Sequence, residues 1–174
     1  MEDSGIKILD GKKAVIFDLD GTLIYTPERV LIKTVSIALE RTGLPSQLPD
    51  KILSFYRGHR WNETLRAWDL NEEDISRFWQ NYVDYVENRE EDETLIYGDV
   101  VDCLKRLKDK KMQLGIVSSC TCNYLERQVR KIGNSLVGNN FFDAYTSVGQ
   151  YSEQKLADKP SPKGILYILK KIGV

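Results

Sequence analysis

Residues 14–17 read Ala-Val-Ile-Phe and residues 114–117 read Leu-Gly-Ile-Val. Each is a short, unbroken apolar run that stops abruptly, the first at Asp18-Leu19-Asp20-Gly21-Thr22 and the second at Ser118-Ser119. Apolar runs of this length without polar alternation suit strands buried on both faces, as in parallel sheets. Parallel neighbours need a crossover between them, usually helical. The two runs therefore commit the chain to an α/β architecture whose helices lie between and after its strands.

The stretch between the runs is too long for one crossover and reads as nearly all helix. Thr26-Pro27-Glu28 opens it, with Thr26 as cap, Pro27 in the first helical position and Glu28 at the positive end of the dipole. Leu31, Val35, Ala38 and Leu39 recur at helical spacing, and Gly43 and Pro45 end the helix. Further helices are predicted around 48–56, 62–68 and 72–90, the last with an apolar stripe of Ile75, Phe78, Trp79, Tyr82, Val83 and Val86. Trp61, Trp68 and Trp79 are expected in the core of this block. Residues 25–93 thus form a small helical insert, and residues 1–24 with 94–174 form the core. Beyond it come a short helix through Val100, Val101, Leu104 and Leu107, and a helix marked by Leu125, Val129 and Ile132 and closed by Gly133. A third strand is expected within 141–148, and a final helix follows Lys159-Pro160-Ser161-Pro162. The acidic run Glu87, Glu90, Glu91, Asp92 and Glu93 reads as a solvated helix end and hinge.

Composition removes several function classes. The 174 residues carry 25 Lys and Arg against 26 Asp and Glu, a formal net charge of −1. That balance argues against a nucleic-acid partner, which calls for a basic face. The one histidine, His59, excludes two-histidine zinc and iron sites. Three cysteines, Cys103, Cys120 and Cys122, form neither a disulfide framework nor a zinc ribbon. Reduced thiols fit a cytoplasmic protein. The polar start of the chain does not read as a signal peptide, and no apolar run approaches membrane-spanning length.

The chemistry sits in Asp18-Leu19-Asp20-Gly21-Thr22-Leu23. Ligands of parallel α/β sheets bind beyond the carboxyl ends of strands, and Asp18 and Asp20 stand at such an end. Gly21 allows a sharp turn there. Two nearby carboxylates can divide labour, one ionised as nucleophile or metal ligand, the other holding a proton as general acid. An arbitrary Asp-x-Asp is more often a turn or capping pair. The full string is far rarer, with a chance occurrence on the order of 10⁻⁴ in a chain of this length.

With that motif the sequence resembles the haloacid dehalogenase (HAD) superfamily, in its phosphoglycolate-phosphatase-like branch. An apolar strand followed by Asp-x-Asp-Gly-Thr is the family's first motif. A strand ending in Ser or Thr, here at Ser118, is its second. Its third is a lysine in a Lys-Pro-x-Pro setting, here Lys159-Pro160-Ser161-Pro162. The branch also inserts a helical cap where residues 25–93 lie. The resemblance implies a HAD-like Rossmannoid parallel sheet core with an all-helical cap inserted after the first strand. It implies Asp18 as nucleophile and Mg²⁺ ligand, and Asp20 as acid and base with its backbone carbonyl on the metal. Ser118 would hydrogen-bond the phosphoryl group, and Lys159 would pair with the phosphate and Asp18. Ser119 and Thr22 would add substrate contacts, and Gly58 and Arg60 resemble the cap loop that faces the substrate. The implied reaction is Mg²⁺-dependent hydrolysis of a small phosphorylated metabolite. A phosphomutase shares the same intermediate and is distinguished by its product.

The sequence departs from the family in two places. Tyr25 stands where Asp is common. The fourth motif, a strand ending in acids that complete the Mg²⁺ site, is absent, so the core is expected to be truncated at its C-terminus. Three arrangements account for that: a complementing chain, a deliberate fragment, or a homodimer partner covering the strand that bears Asp18. A catalytically impaired interaction protein is the corresponding alternative function.

Overall fold

The computed structural model describes residues 11–57, 61–89, 92–136 and 141–174. In chain order the elements are β1 (Ala14–Phe17), β2 (Ile24–Tyr25), α1 (Glu28–Thr42), α2 (Pro49–Arg57), α3 (Trp61–Ala67), α4 (Glu72–Asn88) and β3 (Leu95–Ile96). There follow α5 (Val100–Asp109), β4 (Gln113–Ser118), α6 (Cys122–Ser135), β5 (Ala144–Ser147), a 3-10 turn (Gly149–Tyr151) and α7 (Lys163–Ile172). The chain divides into two compact units, one of Met1–Tyr25 with Ile96–Val174 and one of Thr26–Leu95.

The first unit is α/β and Rossmann-like. Its sheet has the order β1-β4-β5. Both pairings are parallel, with Phe17 opposite Ile116 and Ser118 opposite Ser147. Central β4 is buried from Leu114 to Ser118, as its apolar run predicts. In contrast, β1 is half-buried along its whole length. The reason is position: among the described residues β1 pairs with β4 alone and forms the sheet's edge.

Helix α7 lies close against the sheet because two glycines make room. A Cβ on Gly115 would fall 2.5 Å from Ile168 Cγ2, and one on Gly164 would fall 2.7 Å from Val148 Cγ1 and 2.8 Å from Val117 Cγ1. Val117, Val148, Ile168 and Ile172 form the buried cluster between them. Gly133, expected to close α6, lies buried inside it, and the helix runs two residues further. Helical packing has overridden the local glycine signal there.

The second unit is all helix apart from Leu95 at its boundary. Phe55, Leu65 and Phe78 are each fully buried in its core, and Trp61, Trp68 and Trp79 pack against it half-buried. Helix α1 starts at Glu28 with Pro27 as its cap residue and without a side-chain cap bond. Thr26 therefore does not take the capping role its sequence suggests. The Pro27 carbonyl receives the Val30 and Leu31 N–H groups directly. Strands β2 and β3 form a two-stranded ribbon. Two residues each are too few for an alternation to register in the sequence. Among the described residues no helix is long and apolar enough to cross a membrane.

Candidate active site

Strand β1 ends at Phe17, and the chain turns at once. The N–H groups of Leu23 and Ile24 donate to the Leu19 carbonyl at 2.9 and 3.2 Å, and Gly21 N–H donates to Ile24 O at 2.8 Å. Gly21 adopts φ +76°, the left-handed region in which it carries no Cβ penalty. Leu19 and Ile24 are fully buried and anchor the turn. Asp18 and Asp20 flank Leu19 and are exposed. The alternation thus buries the leucine and leaves both carboxylates facing outward from the strand end.

Lys159, in the segment before α7, reaches across to this turn. Its ammonium donates to Asp18 Oδ1 at 2.5 Å, over a sequence separation of 141 residues. Leu19 N–H donates to the same oxygen at 2.8 Å. Both bonds fall on Oδ1 of Asp18. The Lys159 and Asp18 side chains are 37% and 49% exposed, so a ligand in solution can reach the pair.

Ser118 is the last residue of β4 and is buried. Because β1 and β4 are parallel neighbours, Asp18 and Ser118 leave the sheet at the same end. Ser118 Oγ accepts from Cys120 N–H at 3.2 Å. Ser119, one residue on, is exposed and donates its hydroxyl to Asp158 Oδ1 at 2.6 Å. Asp20 Oδ1 accepts from the Tyr124 hydroxyl at 3.2 Å. Burial, with the Asp20 charge as the next cause, pushes the Cys120 thiol from 9.0 up to about 12. The shift favours the neutral thiol of Cys120, which is the less reactive form.

The structure thus brings Asp18 and Lys159 into direct contact and sets Ser118 at the same sheet end. Thr22 is exposed and serves the turn through its backbone N–H, which donates to Leu19 O at 3.3 Å. Gly58 and Arg60 lie outside the described residues. Asp158 and Tyr124 join the site although the motifs do not include them. Asp158 was signalled only by adjacency to Lys159, and Tyr124 by nothing local.

The donor chemistry here is hard oxygen: two carboxylates and the backbone carbonyls of the turn. That set suits a hard divalent cation that completes its shell with water and phosphate oxygens. Among the described residues no group of three or more His, Cys, Asp or Glu is gathered to cage a metal. A cation bound here would draw on Asp18 and the Asp20 backbone carbonyl and complete its shell from solvent or a ligand.

Comparison with known proteins gives this arrangement its family. The model of the haloacid dehalogenase-like hydrolases matches residues 15–174. The chain belongs to that family. A phosphoglycolate phosphatase from Aquifex aeolicus is 29% identical over 167 residues, covering 92% of this chain and 70% of that protein. The pyrophosphatase PpaX of Listeria monocytogenes is 29% identical over 156 residues, covering 87% of this chain and 64% of that protein. The chain thus spans about two thirds of the length of these relatives. A solved structure, that of a predicted phosphoglycolate phosphatase from Haemophilus somnus, shares the fold. Its TM-score is 0.63 at 23% identity, covering 93% of this chain and 72% of that one. This HAD hydrolase is thus akin to proteins named as phosphatases, and its first motif is the turn that carries Asp18 and Asp20.

Proposed function

We propose that this HAD hydrolase cleaves a small phosphate monoester through an aspartyl-phosphate formed on Asp18. The observation that carries the reading is the Lys159–Asp18 pair at 2.5 Å, at the sheet end where Ser118 also emerges. A carboxylate attacking a phosphate faces charge repulsion. At about 4 Å two unit charges repel by about 4 kcal/mol at an effective dielectric near 20. The Lys159 ammonium offsets that repulsion and is already in place, which is electrostatic preorganisation.

In the first step Asp18 Oδ2 attacks phosphorus, the ester P–O bond breaks, and Asp20 gives its proton to the leaving oxygen. In the second, Asp20 takes a proton from water as the water oxygen attacks phosphorus. The P–O bond to Asp18 then breaks, releasing inorganic phosphate and restoring Asp18 as the carboxylate and Asp20 as the protonated acid. Ser118 binds a phosphoryl oxygen throughout. Asp18 and the backbone carbonyl of Asp20 would hold Mg²⁺, which when bound supplies Lewis-acid charge neutralisation at the phosphoryl oxygens.

By the family resemblance Gly58 and Arg60 would serve substrate choice, a guanidinium being suited to a carboxylate or a second phosphate. Thr22 and the Ser119 backbone complete the substrate side. Similarity to a phosphoglycolate phosphatase and to PpaX supports a small, strongly anionic substrate. The test is Mg²⁺-dependent hydrolysis of an aryl phosphate by this chain and by its Asp18→Asn variant. The reading expects turnover that falls by about 10³-fold or more in the variant. Equal rates in the two proteins would remove Asp18 from the chemistry.

A further inference from the structure

Asp158 stands outside every motif used above, yet it touches both halves of the phosphate side. Its Oδ1 accepts the Ser119 hydroxyl at 2.6 Å and the Lys159 backbone N–H at 2.8 Å. These donors come from different segments, the loop after β4 and the approach to α7. The carboxylate also packs tightly on Gly149. A Cβ there would fall 2.9 Å from Asp158 Cγ, and Gly149 holds φ +74°. The same loop is tied down by Gly149 N–H donating to Leu156 O at 2.9 Å and by Ser161 N–H donating to Asp158 O at 3.0 Å.

We infer that Asp158 is a positioning residue: it clamps the Ser118-Ser119 loop to the lysine segment and so sets the Lys159 ammonium on Asp18. Ser118 and Lys159 belong to segments about forty residues apart in the chain. Something must fix their separation before a phosphoryl group can meet both. A single carboxylate oxygen receiving a bond from each segment does so. The role is geometric, because an amide oxygen in the same place accepts the same two bonds. A displacement of about 1 Å in such a group costs up to about 100-fold in rate.

The inference rests on the phosphatase reading, so the experiment separates the two. Aryl-phosphate turnover and binding of inorganic phosphate are measured for wild type, Asp158→Ala, Asp158→Asn, Ser119→Ala and the Asp158→Ala/Ser119→Ala double variant. Circular dichroism confirms that each is folded. Asp158→Ala is expected to lower kcat/KM about tenfold or more and to weaken phosphate binding. Asp158→Asn restores most of both. The double variant is expected to be no worse than Asp158→Ala, since the two residues act through one bond. If Asp158→Ala does not fold, Ser119→Ala carries the test with a smaller loss in the same direction. An unchanged kcat/KM in Asp158→Ala, or Asp158→Asn as impaired as Asp158→Ala, overturns the inference and leaves the phosphatase reading standing. A wild type that neither turns over nor binds phosphate overturns both.

Discussion

Asp18 and Cys120 follow the neighbouring strands β1 and β4 and stand in opposite chemical settings. Asp18 is half-exposed and is met by an ammonium and a backbone N–H on one oxygen. Cys120 is held as a thiol, first by burial and then by the nearby Asp20 charge. The thiolate is the reactive form, so alkylation at pH 8 is expected to label exposed Cys103 well before Cys120, as read by peptide mass spectrometry. Equal labelling rates would contradict this. Linkage gives the sign of the pH effect on stability. Between about 9 and about 12 the native thiol keeps a proton that the unfolded chain has lost. Stability from this group is thus complete below 9 and declines as pH rises through that window.

Elements in this molecule are placed by close approach as much as by apolar area. Helix α7 reaches the sheet at Gly115 and Gly164, and the room at Gly115 is already filled by the β-branched Ile168. Gly115→Ala is therefore expected to destabilise the protein by about 1–3 kcal/mol, the usual cost of overpacking. Urea unfolding monitored by circular dichroism checks it, and a variant as stable as wild type would mean that α7 can draw back freely. The same displacement would shift the segment that carries Lys159, so activity should fall with stability. In the helical unit the packing of Phe55 against Phe78, Trp61, Trp68 and Trp79, at ring separations of 5.1 to 6.2 Å, explains how α2, α3 and α4 share one core.

At the scale of the whole molecule, much was legible from the chain alone, for physical reasons. Two polar-free runs identified β1 and β4, because parallel strands leave no solvent face to require alternation. Helical periodicity located α1 and α4, and Asp-x-Asp-Gly-Thr with Lys-Pro-x-Pro pointed to Asp18 and Lys159. Less accessible was whatever depends on neighbours. The half-burial of β1 follows from its edge position and not from its composition. The two-residue strands β2 and β3 are too short to leave a periodic trace. Asp158 and Tyr124 reach the site through tertiary contacts, which local sequence does not encode. The interior placement of Gly133 likewise depends on what α6 packs against.

The central claim is a covalent bond between Asp18 and phosphorus, and acyl-phosphate trapping tests it most directly. The protein is mixed with Mg²⁺ and an aryl phosphate, quenched with borohydride and digested, and the peptide spanning Asp18 is sequenced by mass spectrometry. Borohydride reduces an aspartyl-phosphate to homoserine. The account predicts substrate-dependent conversion at position 18 and at no other carboxylate. Turnover without any conversion at Asp18, or conversion at another acid, would contradict it.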